Sequence, residues 1–138
     1  MNKILKVSII GIFTMSLISG CGCEKNTTDT NITDETPKVN TEENVVKDQT
    51  VDVFSLENTS LIYSNGTSTL ETTVTNTASE TAYLSEFTID VKDESGNIII
   101  TLVGFIGDSL GAGETRVITS SCGIDLSNAK SIEYTVQK

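Results

Sequence analysis

Apolar residues are distributed in three distinct ways along the chain. Behind Lys3 and Lys6, residues 7–18 form a mainly apolar stretch without charges, VSIIGIFTMSLI. Over residues 22–50 large apolar side chains become sparse, and Thr, Asn, Asp, Glu and Lys dominate. From Val51 onward β-branched residues return with period two, punctuated by turn residues, which is the pattern of half-buried strands. The first strand signal covers residues 51–57 and 60–63, with a break expected at Asn58, and Asn65-Gly66 is a strong hairpin turn. Over residues 67–76, Leu70, Thr72 and Val74 fall on one face and Thr69, Glu71, Thr73 and Thr75 on the other. Over residues 82–92 the alternation predicts Tyr83, Ser85, Phe87, Ile89 and Val91 inward, with Glu86, Thr88, Asp90 and Lys92 outward.

After a turn at residues 93–97, residues 98–106 are apolar on both faces, which predicts a central strand or one covered by a second layer. Residues 107–113 read as a glycine-rich turn, 114–122 as a strand, and 132–136 as a closing strand with Ile132, Tyr134 and Val136 on one face. No helix is expected beyond a single turn at residues 125–129. About six or seven short strands at this spacing predict an all-β domain, a small antiparallel β-sandwich of immunoglobulin-like architecture, with a small barrel as the second choice.

The N-terminal apolar stretch is too short to cross a bilayer, which takes about 20 residues, and has the length of a secretory core. It runs into Ile18-Ser19-Gly20-Cys21, which resembles the lipobox of bacterial lipoproteins. The resemblance implies cleavage before Cys21, a diacylglyceryl group on that cysteine, and a protein anchored to the cell membrane on its extracytoplasmic side. The chain then divides into a signal peptide (1–20), a lipidated and disordered acidic tether (21–50) and the β-sandwich (51–138). An ordinary secretory signal is the competing reading, and it would leave Cys21 a free thiol.

Losing residues 1–20 removes two of the nine basic residues and none of the 19 acidic ones, so the formal net charge moves from −10 to −12. With no basic stripe, nucleic acid is not an expected partner. The chain has no histidine and no tryptophan. The commonest general base and metal ligand are therefore missing, as is every Ser-His or Cys-His pairing. No cofactor and no catalytic residue are expected.

Four stretches resemble the FxLYD-type domain, a small β-sandwich module of secreted and lipid-anchored prokaryotic proteins. They are Val74-Thr75-Asn76-Thr77; Ile89-Asp90-Val91-Lys92-Asp93 with Gly96; Leu110-Gly111-Ala112-Gly113-Glu114; and Ile132-Glu133-Tyr134. Where the family motif has Phe, Leu and Tyr before the Asp, this chain has Ile89, Val91 and Lys92. The resemblance implies a sandwich and transfers no catalytic or binding residue.

The remaining candidate chemistry is thin. Cys122 could pair with Cys23 outside the cytoplasm, but a small residue packed at a strand end is the favoured reading. Asp90, Asp93, Glu94 and Asn97 cluster around one turn; their spacing departs from the EF-hand loop, and a solvated hairpin tip is favoured over weak calcium binding. The run from Gly104 to Gly113 lacks the Lys-Ser/Thr of a phosphate loop. Within it Phe105, Ile106 and Leu110 are candidate partner contacts if exposed, and a cap on the core if not. The sequence thus points to a non-enzymatic adaptor that binds the membrane through Cys21 and an envelope protein through its domain, with small-ligand or calcium capture as the alternative.

Overall fold

The computed structural model describes residues 35–137. The signal-peptide and lipobox expectations, with Cys21 and Cys23, lie outside the described residues. Within them the elements are β1 (Lys38–Val39), α1 (Glu43–Val46), β2 (Gln49–Val51), β3 (Phe54–Ser64), β4 (Thr67–Asn76), β5 (Ala82–Tyr83), β6 (Glu86–Lys92), β7 (Ile98–Phe105), β8 (Ser109–Leu110), β9 (Thr115–Cys122) and β10 (Ser131–Gln137). All pairings are antiparallel. One sheet has the order β1-β3-β4-β9, with β2 also on β3; the second has the order β10-β6-β7; β5 and β8 form a short separate ladder.

Local sequence explains the main hairpin. Asn65 and Gly66 both take positive φ, 51° and 78°, as a two-residue turn matched to strand twist requires. That turn sets the register Ser64↔Thr67, which places Leu70, Thr72 and Val74 inward as their alternation predicts. The break expected at Asn58 is a bulge instead: β3 runs through it, Asn58 takes φ 54°, and the pairing to β4 shifts between Glu57 and Ser60.

The two larger sheets form a β-sandwich. Phe54, Leu56, Leu61, Leu70, Val74 and Ile118 come from the first, and Phe87, Ile89, Val91, Leu102, Ile132 and Tyr134 from the second. Phe87 meets Phe54 and Tyr134 edge-on, at centroid separations of 5.5 and 6.4 Å. Thr59, Thr72 and Tyr134 bring hydroxyls into this interior and satisfy one another there.

Four expectations need correction. The tether does not extend through Thr50, because β1 pairs with Tyr63 and Ile62, β2 pairs with residues 54–56, and Val45 on α1 is fully buried. Asn40 is buried as well; its Nδ2 donates to the carbonyls of Leu126 and Ala129, and its Oδ1 accepts from Glu42 N. A polar segment with few apolar residues is thus ordered by partners that other strands supply. The strand expected to be central or covered by a second layer, β7, is an edge strand paired only with β6, and the facing sheet covers its inner face while its outer apolar side chains are exposed. The alternation over residues 82–92 slips by one: Leu84 is buried, whereas Tyr83 and Ser85 are exposed. The slip falls where Ser85 O accepts from both Ile106 N and Gly107 N, between the β5–β8 and β6–β7 ladders. Finally, the single helical turn lies at α1, while residues 125–129 form a non-helical turn closed by Ala129 N to Leu126 O.

Candidate binding surface

The outer face of the β10-β6-β7 sheet is arranged in three rows. Along β7, alternation sends Leu102 and Gly104 into the interior and leaves Ile99, Thr101, Val103 and Phe105 outward. Phe105 is 69 % exposed, and Ile98, Ile99 and Val103 are exposed beside it on the same strand. The second row is β6, where Glu86 lies opposite Phe105, Thr88 opposite Val103 and Asp90 opposite Thr101. The third is β10, where Gln137, Thr135 and Glu133 continue the same registers. An apolar edge therefore borders an acidic row.

The charges of that face are unevenly matched. Lys92 and Glu133 form an ion pair across the β6–β10 ladder, and the hydrogen bond to Glu133 raises the Lys92 pKa above its ordinary value. Asp90 accepts from Thr101 Oγ1 at 2.6 Å, a bond between strands that involves no cation. Glu86, beside Phe105, has no cationic partner among the described residues.

On its other flank β7 approaches β9 of the facing sheet. Ser120 Oγ donates to Val103 O, and the Arg116 guanidinium donates to Ile106 O while its Nη2 lies 2.7 Å from Glu114 Oε1. Glu114 Oε2 also accepts from Gly111 N at 2.8 Å. The Gly111 backbone donor and then Arg116 hold the Glu114 carboxyl below its ordinary pKa. Close approach of the two sheets at this seam depends on Gly104, whose α-carbon faces Ile118 and Ile89.

The three predicted contact residues separate. Phe105 is exposed, but Ile106 is only 3 % exposed and Leu110 is fully buried. The chain reverses after Phe105: β8 returns to pair with β5, which sets Leu110 opposite Ala82 and turns Leu110 into the core. Ile106 and Leu110 cap the interior, and the partner-contact expectation is corrected for both. The residues that do accompany Phe105 are Val103, Ile99 and Ile98. Their signal was the doubly apolar run itself, which fits a covered strand as well as an uncovered edge.

The other candidates are placed as follows. Asp93 accepts from Ser95 N and Asn97 N through Oδ1 and from Asn97 Nδ2 through Oδ2. These donors, led by the Asn97 backbone, hold its carboxyl below the ordinary range, so the turn uses both carboxylate oxygens itself. Asp90 is engaged by Thr101 on the neighbouring strand, and Glu94 and Asn97 are exposed. Among the described residues no three His, Cys, Asp or Glu side chains converge as a metal site would need. Cys122 is half-buried at the end of β9 and packs against the core. An open cleft beside the exposed Tyr83 is lined by Asp52, Val53, Phe54, Ala78 and residues 80–82. No protein-family model, curated protein or solved structure matches the chain.

Proposed function

We propose that this protein is a lipid-anchored extracytoplasmic lipoprotein whose β-sandwich is a non-enzymatic binding module, an adaptor in a membrane-proximal complex. The observation that carries the reading is the exposed apolar row of β7, with Phe105 at its end. A row of large apolar side chains left uncovered on a sheet's outer face is a surface that a solitary domain ordinarily avoids. The address rests on the lipobox resemblance at Ile18-Ser19-Gly20-Cys21, with two acyl chains at Cys21 supplying a stable anchor. Only residues 22–37 separate that anchor from β1, and a chain of this length spans at most about 60 Å. The domain then works close to the membrane surface.

The test is cross-linking in cells of the full-length chain, with membrane extraction and mass spectrometry of captured proteins. Cys21→Ala separates anchored from released protein, and deletion of residues 35–138 provides the domain control. One dominant envelope protein, captured only with both anchor and domain present, supports the reading. Abundant anchored protein with no specific capture overturns it.

A further inference from the structure

We infer that β7 is the docking strand, and that it takes an extended peptide segment carrying apolar and cationic side chains on the same face. This rests on the adaptor reading above and names the surface and the chemistry of its partner. The apolar requirement comes from Ile99, Val103 and Phe105, which project from the outer face of β7, the last strand of its sheet among the described residues, with Ser120 of β9 against its other flank. An extended segment presents side chains every second residue, the spacing at which these three residues and Thr101 occur. The cationic requirement comes from the neighbouring row. Glu86 stands directly opposite Phe105, within one cross-strand spacing, and forms no ion pair among the described residues, whereas Asp90, opposite Thr101, accepts from that threonine and acts on Lys92 of the same row.

Charge also decides against the obvious alternative, a second copy of the chain. Residues 35–137 carry five basic and sixteen acidic residues. Four of the five basic residues are already paired: Lys38 with Asp125, Lys92 with Glu133, Arg116 with Glu114, and Lys130 with Glu42. Two copies meeting at β7 would bring two acidic rows together with, among the described residues, no unpaired cation in either row. A cationic segment instead meets Glu86, which has no ion pair among the described residues, and its approach is favoured by the field of the whole domain.

The test uses the lipidated full chain in nanodiscs of zwitterionic lipid, with empty nanodiscs as the blank. The probe is a fluorescein-labelled nonapeptide with Thr at even positions and Val and Lys taking turns at odd positions, which puts both on one face (the Lys-Val peptide), compared with peptides of the same length in which Glu replaces Lys (Glu-Val) or Ser replaces Val (Lys-Ser). The Lys-Val peptide is expected to bind at least about tenfold more tightly than either comparator, because each of them lacks one of the two interactions. Replacing both outward residues, Val103→Ser with Phe105→Ser, is expected to abolish that preference without lowering the melting temperature. Glu86→Gln with Asp90→Asn is expected to weaken Lys-Val binding and flatten its salt dependence while the apolar row is kept. Equal binding of Lys-Val and Lys-Ser peptides, or unchanged binding by the Val103/Phe105 double variant, overturns the inference. Concentration-dependent dimerisation that this double variant removes would also overturn it, by assigning the row to self-association. If the same envelope protein is cross-linked in cells by the wild-type chain and by the double variant, this surface fails while the adaptor reading stands.

Discussion

Tyr134 of β10 reaches across the interior to Thr72 of β4, hydroxyl to hydroxyl at 2.7 Å, and so joins the two sheets by a polar bond inside an apolar core. Thr59, at the bulge of β3, lies 2.9 Å from Thr72 and 3.4 Å from the tyrosine hydroxyl. Burial pushes the Tyr134 phenol above its ordinary pKa, and the two threonines act in the opposite direction. Removing either end of the 2.7 Å bond has unequal consequences. Tyr134→Phe leaves Thr59 and Thr72 bonded to each other and is expected to cost about 1 kcal/mol. Thr72→Val strips both remaining hydroxyls of their nearest partner and is expected to cost about 2 kcal/mol or more. Urea unfolding of the two variants checks this; equal midpoints would show that the network is not organised around Thr72.

The N-terminal segment is part of the sandwich, and its removal has a definite expected cost. A chain beginning at Val51 loses β1, β2 and the Asn40 bonds to Leu126 and Ala129, together with the Lys38–Asp125 and Glu42–Lys130 ion pairs. Loss of Val45 burial alone costs about 1.5 kcal/mol. It also frees two buried carbonyls from their amide donor. The expected outcome is a chain of residues 51–138 that unfolds at clearly lower urea than one of residues 35–138. Coincident unfolding curves would show that residues 35–50 are ornamental.

Much of this architecture is legible from local chemistry. Asn65-Gly66 announces its hairpin because few other dipeptides adopt positive φ twice, and the alternation of Leu70, Thr72 and Val74 fixes which face of β4 is inside. What escapes the sequence is whatever depends on distant partners. Asn40 has the composition of a tether residue, and only the carbonyls of residues 126 and 129 make it a buried clamp. Period-two reasoning also carries no information about a register slip, so it places Tyr83 inside although a break at Leu84–Ser85 leaves it exposed. The candidate surface fails in the same way. The run Ile98-Ile99-Ile100 reports hydrophobicity without reporting whether a second layer covers it, and sheet order decides that. Ile106 and Leu110, within five residues of the exposed Phe105, are turned inward where the chain reverses into the β5–β8 ladder, which no local pattern announces.

Gly104 offers a test of how tightly the seam between β7 and β9 is closed. A β-carbon built there would lie 2.5 Å from Ile118 Cδ1 and 3.3 Å from Ile89 Cδ1. Gly104→Ala therefore overpacks the core and is expected to cost about 1–3 kcal/mol. The offending atom is the end of an isoleucine, so Ile118→Val in the same chain should recover part of the loss by removing Cδ1. A double-mutant cycle from urea midpoints reads the coupling, expected to be favourable by about 0.5 kcal/mol or more. Strict additivity would mean that the seam relaxes elsewhere.

Acid should release the contact that closes the N-terminal strap. Asp125 is held down to a pKa of about 2, first by the hydrogen bond from Lys38 Nζ at 2.8 Å and then by the Ser127 hydroxyl and backbone N–H. Its pKa is depressed on folding, so its stabilising contribution is full above the ordinary value of 3.8 and is lost as pH falls through about 2. Lys38 is shifted upward by the same partner, so its share is present below 10.5 and is lost only at higher pH. Total stability is a poor readout, because protonating the many other carboxylates relieves repulsion over the same range. The difference between wild type and Asp125→Asn isolates the contact. That difference is expected to be constant from about pH 5 to pH 9 and to shrink steadily between about pH 4 and pH 2. High salt should reduce the part due to Lys38, whose side chain is 55 % exposed, and leave the bonds from Ser127 in place. A difference that is already small at neutral pH, or that grows on acidification, would show that Asp125 does not fasten the strap.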